Sequence, residues 1–301
     1  MSCSGAARHR AQKAPRPDPV SEPVRSLAGE PLTPPPASTE GAARLARDSE
    51  DAFIWLGRRQ AYEFRYRESV DTYTRGLRRF PDSDRLLRHR GHRFITLRDF
   101  ERALADLTRA QALVVGLPDA IEPDGAPNAA GIPRSTTQGN IQYHLALARY
   151  LRGEFDLAAR EWAAGLALAG NDDSVVSSSW WLALSLRRAG GRVDGLPTPD
   201  EVLAPIHADM DILENFGYLR LALMAKGELR EDELLPGDSD DVESSTIRYG
   251  VAAWRLGGRD PQGGLDLFRR IAASPSWMAF GCIAAEAELR RQDSQDAIGI
   301  D

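Results

Sequence analysis

The sequence predicts an all-α solenoid of stacked antiparallel helix pairs, preceded by a disordered N-terminal tail. Three observations predict it: self-similarity at a fixed spacing of 34 residues, apolar residues at helical intervals inside each copy, and a proline-rich stretch that ends where the periodicity begins.

The tail comes first. Eight of the 19 prolines fall within residues 1–40, including Pro34-Pro35-Pro36, and large apolar side chains are few. Such a stretch cannot bury enough surface to offset its ordering entropy, so residues 1–45 are expected to form an extended tether. The chain as written shows no apolar core ahead of a cleavage site, and hence no secretory signal.

The repeats follow over residues 46–170. Gly57 and Gly91 lie 34 residues apart, as do Tyr66 and Phe100, Ser69 and Ala103, Tyr73 and Leu107, and Gly76 and Ala110. A third copy has the spacing widened to 55: Phe100 to Phe155, Ala103 to Ala158, Leu107 to Trp162, Ala110 to Gly165. The 21 extra residues fall within Val115–Gly139, which is rich in Gly and Pro and reads as a loop. A long insertion inside a repeat array is uncommon unless functional, and this one is expected to fold across the mouth of a groove. In the first unit Phe53, Leu56 and Gln60 mark one helix and Val70, Tyr73 and Leu77 its partner, with small residues where the two approach closely. Pro81 ends the second helix. A single pair cannot bury its own apolar face, so neighbouring pairs must stack.

These residues resemble the tetratricopeptide repeat. Its Trp/Phe-x-x-Leu-Gly signature corresponds to Phe53-Ile54-Trp55-Leu56-Gly57, and its second-helix pattern to Ser69, Tyr73, Gly76 and Pro81. The second copy keeps Gly91, Phe100, Ala103, Leu107 and Ala110 without the proline, and the third keeps Gly153, Phe155, Ala158, Trp162 and Gly165. The resemblance implies a right-handed superhelix whose first helices line a concave groove that clamps an extended peptide, often by its carboxylate. Mapped onto this chain, the groove face carries Arg58, Tyr62, Arg85, Arg88, His92, Tyr143 and Tyr150. Arginine suits bidentate carboxylate contact, and tyrosine adds rigid apolar area with a polar tip. Several of these positions hold Lys and Asn in the chaperone-binding members of the family, from which this chain departs. Arg90 stands where the family prefers a buried leucine, so a carboxylate partner is expected for it, Asp106 or Asp71.

Beyond residue 170 the pattern loosens into degenerate pairs and capping helices (171–301). Ser174–Ala189 reads as a first helix with a partner near Asp200–Asn215, Gly217–Lys226 and Ser244–Leu256 as further helices, and Pro261–Ala273 with Pro275–Arg291 as the closing pair. Both members of that pair begin on a capping residue followed by proline. Five to six pairs are expected in all.

Composition limits the function classes. The net charge is −6 and the pI about 5.5, which disfavours nucleic acid as a partner. The charge is uneven: residues 58–109 hold 14 Arg against 8 acids, whereas 110–301 hold 17 basic and 29 acidic residues, eight of the acids within Glu228–Glu243. No run approaches the roughly 18 apolar residues of a membrane span. Phosphate loops, His-Glu-x-x-His helices, nucleophile elbows and paired-Cys patterns are missing from the sequence. The expected function is therefore a non-enzymatic, cofactor-free scaffold for a protein or peptide partner carrying an acidic side chain or C-terminal carboxylate.

Two other readings stand beside it. The basic and acidic halves allow an assembly subunit that self-associates, and His89, His92 and His144 allow a metal protein. Location rests on Cys3. Cys3-Ser4-Gly5 ahead of a proline-rich tether is similar to the start of a mature bacterial lipoprotein, which would place the protein in the envelope if translation starts upstream. The alternative is an unmodified cysteine in a cytoplasmic protein.

Overall fold

A computed structural model describes residues 49–298 apart from 124–127, 236, 238, 240 and 259, with the backbone alone for 295–298. The expected tether (1–45) and Cys3 lie outside the described residues. Those residues form thirteen helices and no strand. Three regular antiparallel pairs come first: α1 (Glu50–Tyr62) with α2 (Tyr66–Arg79), α3 (Asp84–Thr96) with α4 (Phe100–Leu113), and α5 (Thr137–Arg152) with α6 (Phe155–Ala167).

Their boundaries follow from short-range chemistry. Ser49, Ser83, Asp99 and Thr136 each place a side-chain oxygen on the free N–H three residues on, capping α1, α3, α4 and α5. The turn inside each pair has one recurring form. Phe64 (φ 60°), Arg98 (φ 63°) and Gly153 (φ 82°) adopt the left-handed conformation at the same repeat position. The next amide then reaches back five residues, as in Arg65 N to Gln60 O (2.8 Å), Asp99 N to Phe94 O (2.9 Å) and Glu154 N to Arg149 O (3.0 Å). Only the third copy uses the glycine that makes this conformation free of strain.

The same turn continues into the irregular half. Helix α7 (Asp172–Arg188) ends at Gly190 (φ 86°) and α9 (Phe216–Ala225) at Gly227 (φ 78°), each with the five-residue return bond. Both behave as first helices of a pair. Their partners shrink to single turns, α8 (Pro199–Leu203) and α10 (Glu231–Leu234). The helix expected over Asp200–Asn215 is thus corrected to one turn. Buried Asp173 of α7 accepts from the N–H groups of Leu213 (3.0 Å), Glu214 (2.9 Å) and Asn215 (2.8 Å), holding that stretch as a loop. A fuller pair, α11 (Val242–Leu256) with α12 (Pro261–Ala272), follows.

The last helix, α13 (Phe280–Ile298), starts later than the expected Pro275 and runs past Arg291. Ser274 Oγ accepts from Ser276 N (3.2 Å) in a local turn, which leaves Trp277 buried edge-on against Tyr66, ring centres 5.5 Å apart. Helix α13 packs on α11, α12 and α5. Arg98 of the second pair donates to both Glu286 oxygens (3.0 and 3.1 Å) and to the Trp277 carbonyl (2.6 Å). Buried Glu288 meets Arg188 of α7 and Arg291 (2.9 Å). Burial alone would lower the Arg188 pKa, but Glu288 more than offsets it and leaves it raised.

One continuous apolar core runs from Ala61 and Tyr66 of the first pair to α13, centred on aromatic contacts: Trp162 stacks on Trp181 (5.8 Å, 10°) and Trp181 on Tyr249 (5.6 Å, 27°). The helices of each early pair approach closely at glycine. A Cβ on Gly57 would overlap the Tyr73 ring, and one on Gly91 would sit 2.7 Å from Leu107 Cγ. Arg90 pairs with Asp106 of α4, Nε to Oδ2 and Nη2 to Oδ1 both at 2.7 Å.

Candidate binding site

The first helices α1, α3 and α5 stand side by side, and the described part of the 115–139 insertion meets all three through Glu122 and Pro123. Its two limbs pair through a single antiparallel bridge between Ile121 and Thr136, with Glu122 N donating to Ser135 O (3.0 Å) and Thr137 N to Ala120 O (2.8 Å). One member of each helix grips the near limb. Arg58 of α1 donates to the Pro123 carbonyl (2.6 Å) while its guanidinium lies over Trp55. Arg88 of α3 pairs with the Glu122 carboxylate (3.1 Å), and Asn140 of α5 donates to its other oxygen (3.1 Å). Arg88 and Glu122 are both buried, so the pair is shielded from solvent screening. Burial pulls the Arg88 pKa down, and Glu122 opposes the shift.

The histidines follow from these contacts. Arg88 Nη1 is 2.9 Å from His89 Nδ1. An arginine can only donate, so His89 carries its proton on Nε2, which faces Glu122 at 3.7 Å. His144 Nδ1 is 2.6 Å from the Asn140 carbonyl and must be the donor there. Burial, before any neighbouring charge, holds the pKa values of His89, His92 and His144 well below the usual histidine range. All three are neutral at pH 7, which leaves His144 Nε2 as a lone pair with no hydrogen-bonding partner in the protein.

Beside this grip lies a cavity of about 390 Å³ bounded by α3, α5, α6 and α7. Tyr143, Trp162 and Phe280 form its aromatic walls, and Arg88, His92 and His144 face it from the polar side. Tyr143 is held by its hydroxyl against that of Tyr218 (2.9 Å), which also accepts from Trp181 Nε1 (3.1 Å). Phe280, from α13, covers His92 (5.2 Å) and Tyr143 (6.2 Å between ring centres). Exposed Leu168 and Gly170 form the rim.

The residues mapped to a groove therefore divide. Arg58, Tyr62 and Arg88 come together at the insertion, with Tyr62 accepting a long bond from Arg58 (3.4 Å). His92 and Tyr143 line the cavity. Arg85 is tied to the first turn of α1 through Asp51 (2.7 Å) and Glu50 (3.4 Å). Tyr150 is corrected: it is wholly buried, hydrogen-bonded to Tyr249 (2.9 Å), and its pKa is pushed up to about 12 by burial and then by Glu288. The ring packing that consumes it, against Trp181 and Phe155, is tertiary and leaves no trace in repeat spacing.

His92 and His144 are in ring contact (4.2 Å), but His89 turns away to stack on Tyr73 (5.7 Å, 19°). Among the described residues no group of three or more His, Cys, Asp and Glu is placed to hold a metal ion, and no helix is long and apolar enough to cross a membrane. Sequence reasoning missed Glu122, Asn140, Asp173 and Phe280. Their roles depend on where the insertion and α13 land, for which no local pattern exists. The chain matches no protein-family model, and no curated protein matches its sequence.

Proposed function

We propose that the protein is a non-enzymatic scaffold of the tetratricopeptide type, a right-handed superhelical solenoid that takes an extended, carboxylate-bearing segment of a protein partner across α1, α3 and α5. The observation that carries this reading is the grip those helices exert on the chain's own Glu122 and Pro123. Arg88 and Asn140 divide one carboxylate between them while Arg58 takes the following backbone carbonyl. Charge-assisted bonds to a carboxylate combined with a main-chain contact recognise any extended acidic segment of the right spacing. The insertion acts as an internal occupant that a partner must displace, competing at an effective concentration on the order of millimolar.

The test uses a fluorescein-labelled peptide copying residues 117–123, with both ends blocked, and measures its anisotropy with three proteins. Glu122→Ala should bind it at least tenfold more tightly than the unaltered protein, and adding Arg88→Ala should abolish the gain. Equal, weak binding by all three would sink the proposal.

A further inference from the structure

We infer that the partner segment adds to the protein as a β-strand, antiparallel to residues 135–137, and that the one side chain read from it is a glutamate. This rests on the peptide reading above and specifies the class of segment taken.

The template edge is built independently of the limb that now lies on it. Thr136 has extended backbone (φ −116°, ψ 163°), and its hydroxyl caps α5 by accepting from Gly139 N (3.1 Å). The Arg134 carbonyl accepts from Asn171 Nδ2 at the start of α7 (2.8 Å), and its guanidinium meets Asp173 (3.3 Å) and Asp211 (2.6 Å). Residues 134–137 are thus fixed by α5, α7 and the loop beside them, whether or not residues 120–122 are paired with them.

The bonds on that edge define a register. Ser135 O accepts from Glu122 N (3.0 Å) and Thr137 N donates to Ala120 O (2.8 Å), on either side of the Ile121–Thr136 bridge. In this antiparallel arrangement the middle residue turns its own N–H and C=O to the opposite edge, so Ile121 gives the template no main-chain bond. Thr137 is the first residue of α5, where the N–H has no acceptor within the helix, and the added strand supplies one. Side chains alternate along a strand. Ile121 points outward, 67% exposed, and Glu122 is the one buried side chain from Val115 to Pro123. Main-chain pairing therefore supplies affinity with little regard to sequence, and a single pocket supplies the selection.

That pocket measures side-chain length. Glu122 N on Ser135 O and the Pro123 carbonyl on Arg58 (2.6 Å) hold the backbone on both sides of the residue. The carboxylate then spans Arg88 of α3 and Asn140 of α5, each at 3.1 Å. Aspartate, one methylene shorter, cannot keep all four contacts. The residue after the glutamate offers only its carbonyl, so proline is accepted there, as at Pro123. The class is an extended segment whose glutamate has a free backbone N–H.

The experiment changes the peptide alone, leaving the protein as Glu122→Ala throughout. The labelled, end-blocked copy of residues 117–123 is compared with three versions: N-methylated at the glutamate, N-methylated at the isoleucine, and Glu122→Asp. Methylation at the glutamate should weaken binding roughly tenfold, as expected for one lost hydrogen bond. Methylation at the isoleucine should leave affinity within about twofold, because that N–H faces away. The aspartate version should bind at least tenfold more weakly. In the complex, the peptide isoleucine Hα should show a nuclear Overhauser contact to Thr136 Hα, the pair brought together across an antiparallel bridge. If the unmodified peptide does not bind, the peptide reading falls and this inference with it. If it binds, yet both methylated peptides bind equally well or lose affinity alike, the grip stands and strand addition is overturned. Aspartate binding as tightly as glutamate would overturn the selection by length.

Discussion

Arg90 and Asp106 face each other across the second helix pair in a two-pronged ion pair, both contacts at 2.7 Å, at a position where the repeat pattern calls for a buried leucine. Arg90 extends the contact to Thr74 of the first pair (3.1 Å), so one guanidinium joins two neighbouring units. Asp106→Ala leaves this largely sheltered cation without its counter-charge and should cost about 1–3 kcal/mol. Replacing both partners with leucine should recover most of that loss, because a buried pair barely outweighs a well-packed apolar one. Urea unfolding of the two singles and the double decides the matter. A double variant as unstable as Asp106→Ala would show that the pair does more than balance itself.

Gly57 and Gly165 make a controlled comparison. Alanine normally improves a helix by up to about 1 kcal/mol over glycine. At Gly57 the added methyl overlaps the Tyr73 ring, which is locked in the core, so Gly57→Ala should destabilise by about 1–3 kcal/mol. At Gly165 the nearest atom is Gln142 Cγ at 3.3 Å, which needs to yield by only a few tenths of an ångström, so Gly165→Ala should cost clearly less than Gly57→Ala. Thermal unfolding of both variants provides the check.

The neutral histidines give stability a pH dependence of definite sign. Folding lowers the pKa values of His89, His92 and His144, chiefly through burial and further through Arg88 and Arg93. Above pH about 6.5 both folded and unfolded chains hold them neutral, and they contribute nothing. Below it the unfolded chain takes up protons that the folded chain refuses, so stability falls with falling pH, by up to about 1.4 kcal/mol per pH unit for each histidine. Urea midpoints at pH 7.5 and 5.5 should differ accordingly, and His144→Phe should flatten the slope. Identical midpoints would mean the folded imidazoles accept protons freely.

Glu288 is the anchor of α13. It is 2% exposed and lies between Arg188 and Arg291, with the Tyr249 hydroxyl at 3.5 Å. Glu288→Gln leaves two guanidinium groups facing an uncharged amide and should cost about 3–5 kcal/mol. Hydrogen exchange along α13 should accelerate before that of α1 or α2. Uniform acceleration throughout would mean that α13 does not open separately.

What could be read from the sequence was what repeats. The spacing Gly57–Gly91 locates the first helices because a close approach to Tyr73 or Leu107 recurs in each copy. The Arg90 partner was legible for the same reason: a charge in an apolar register demands an opposite charge within reach. Helix starts with a side-chain cap were legible too, as at Asp260-Pro261. Where sequence reasoning failed, one long-range contact had outweighed a local signal. Ser274-Pro275 looks like a helix start, yet Trp277 is held against Tyr66 by Arg98 and the helix begins at Phe280. The helix expected near Asp200–Asn215 is a single turn because Asp173 claims the amides of 213–215. Glu122 carries no signature at all, being a lone acid in a loop whose meaning comes from the three helices it meets.

The contact between Arg98 and Glu286 spans 188 residues of sequence. A repeat array built only from neighbouring units can assemble in the order of its synthesis, each pair docking on the one before. Here the second pair receives a partner that emerges roughly 10–40 s later at ordinary elongation rates of about 5–20 residues per second. Until then Tyr66 lacks the Trp277 ring and Arg98 lacks the Glu286 carboxylate, so the early pairs gain these contacts only after α13 has been made.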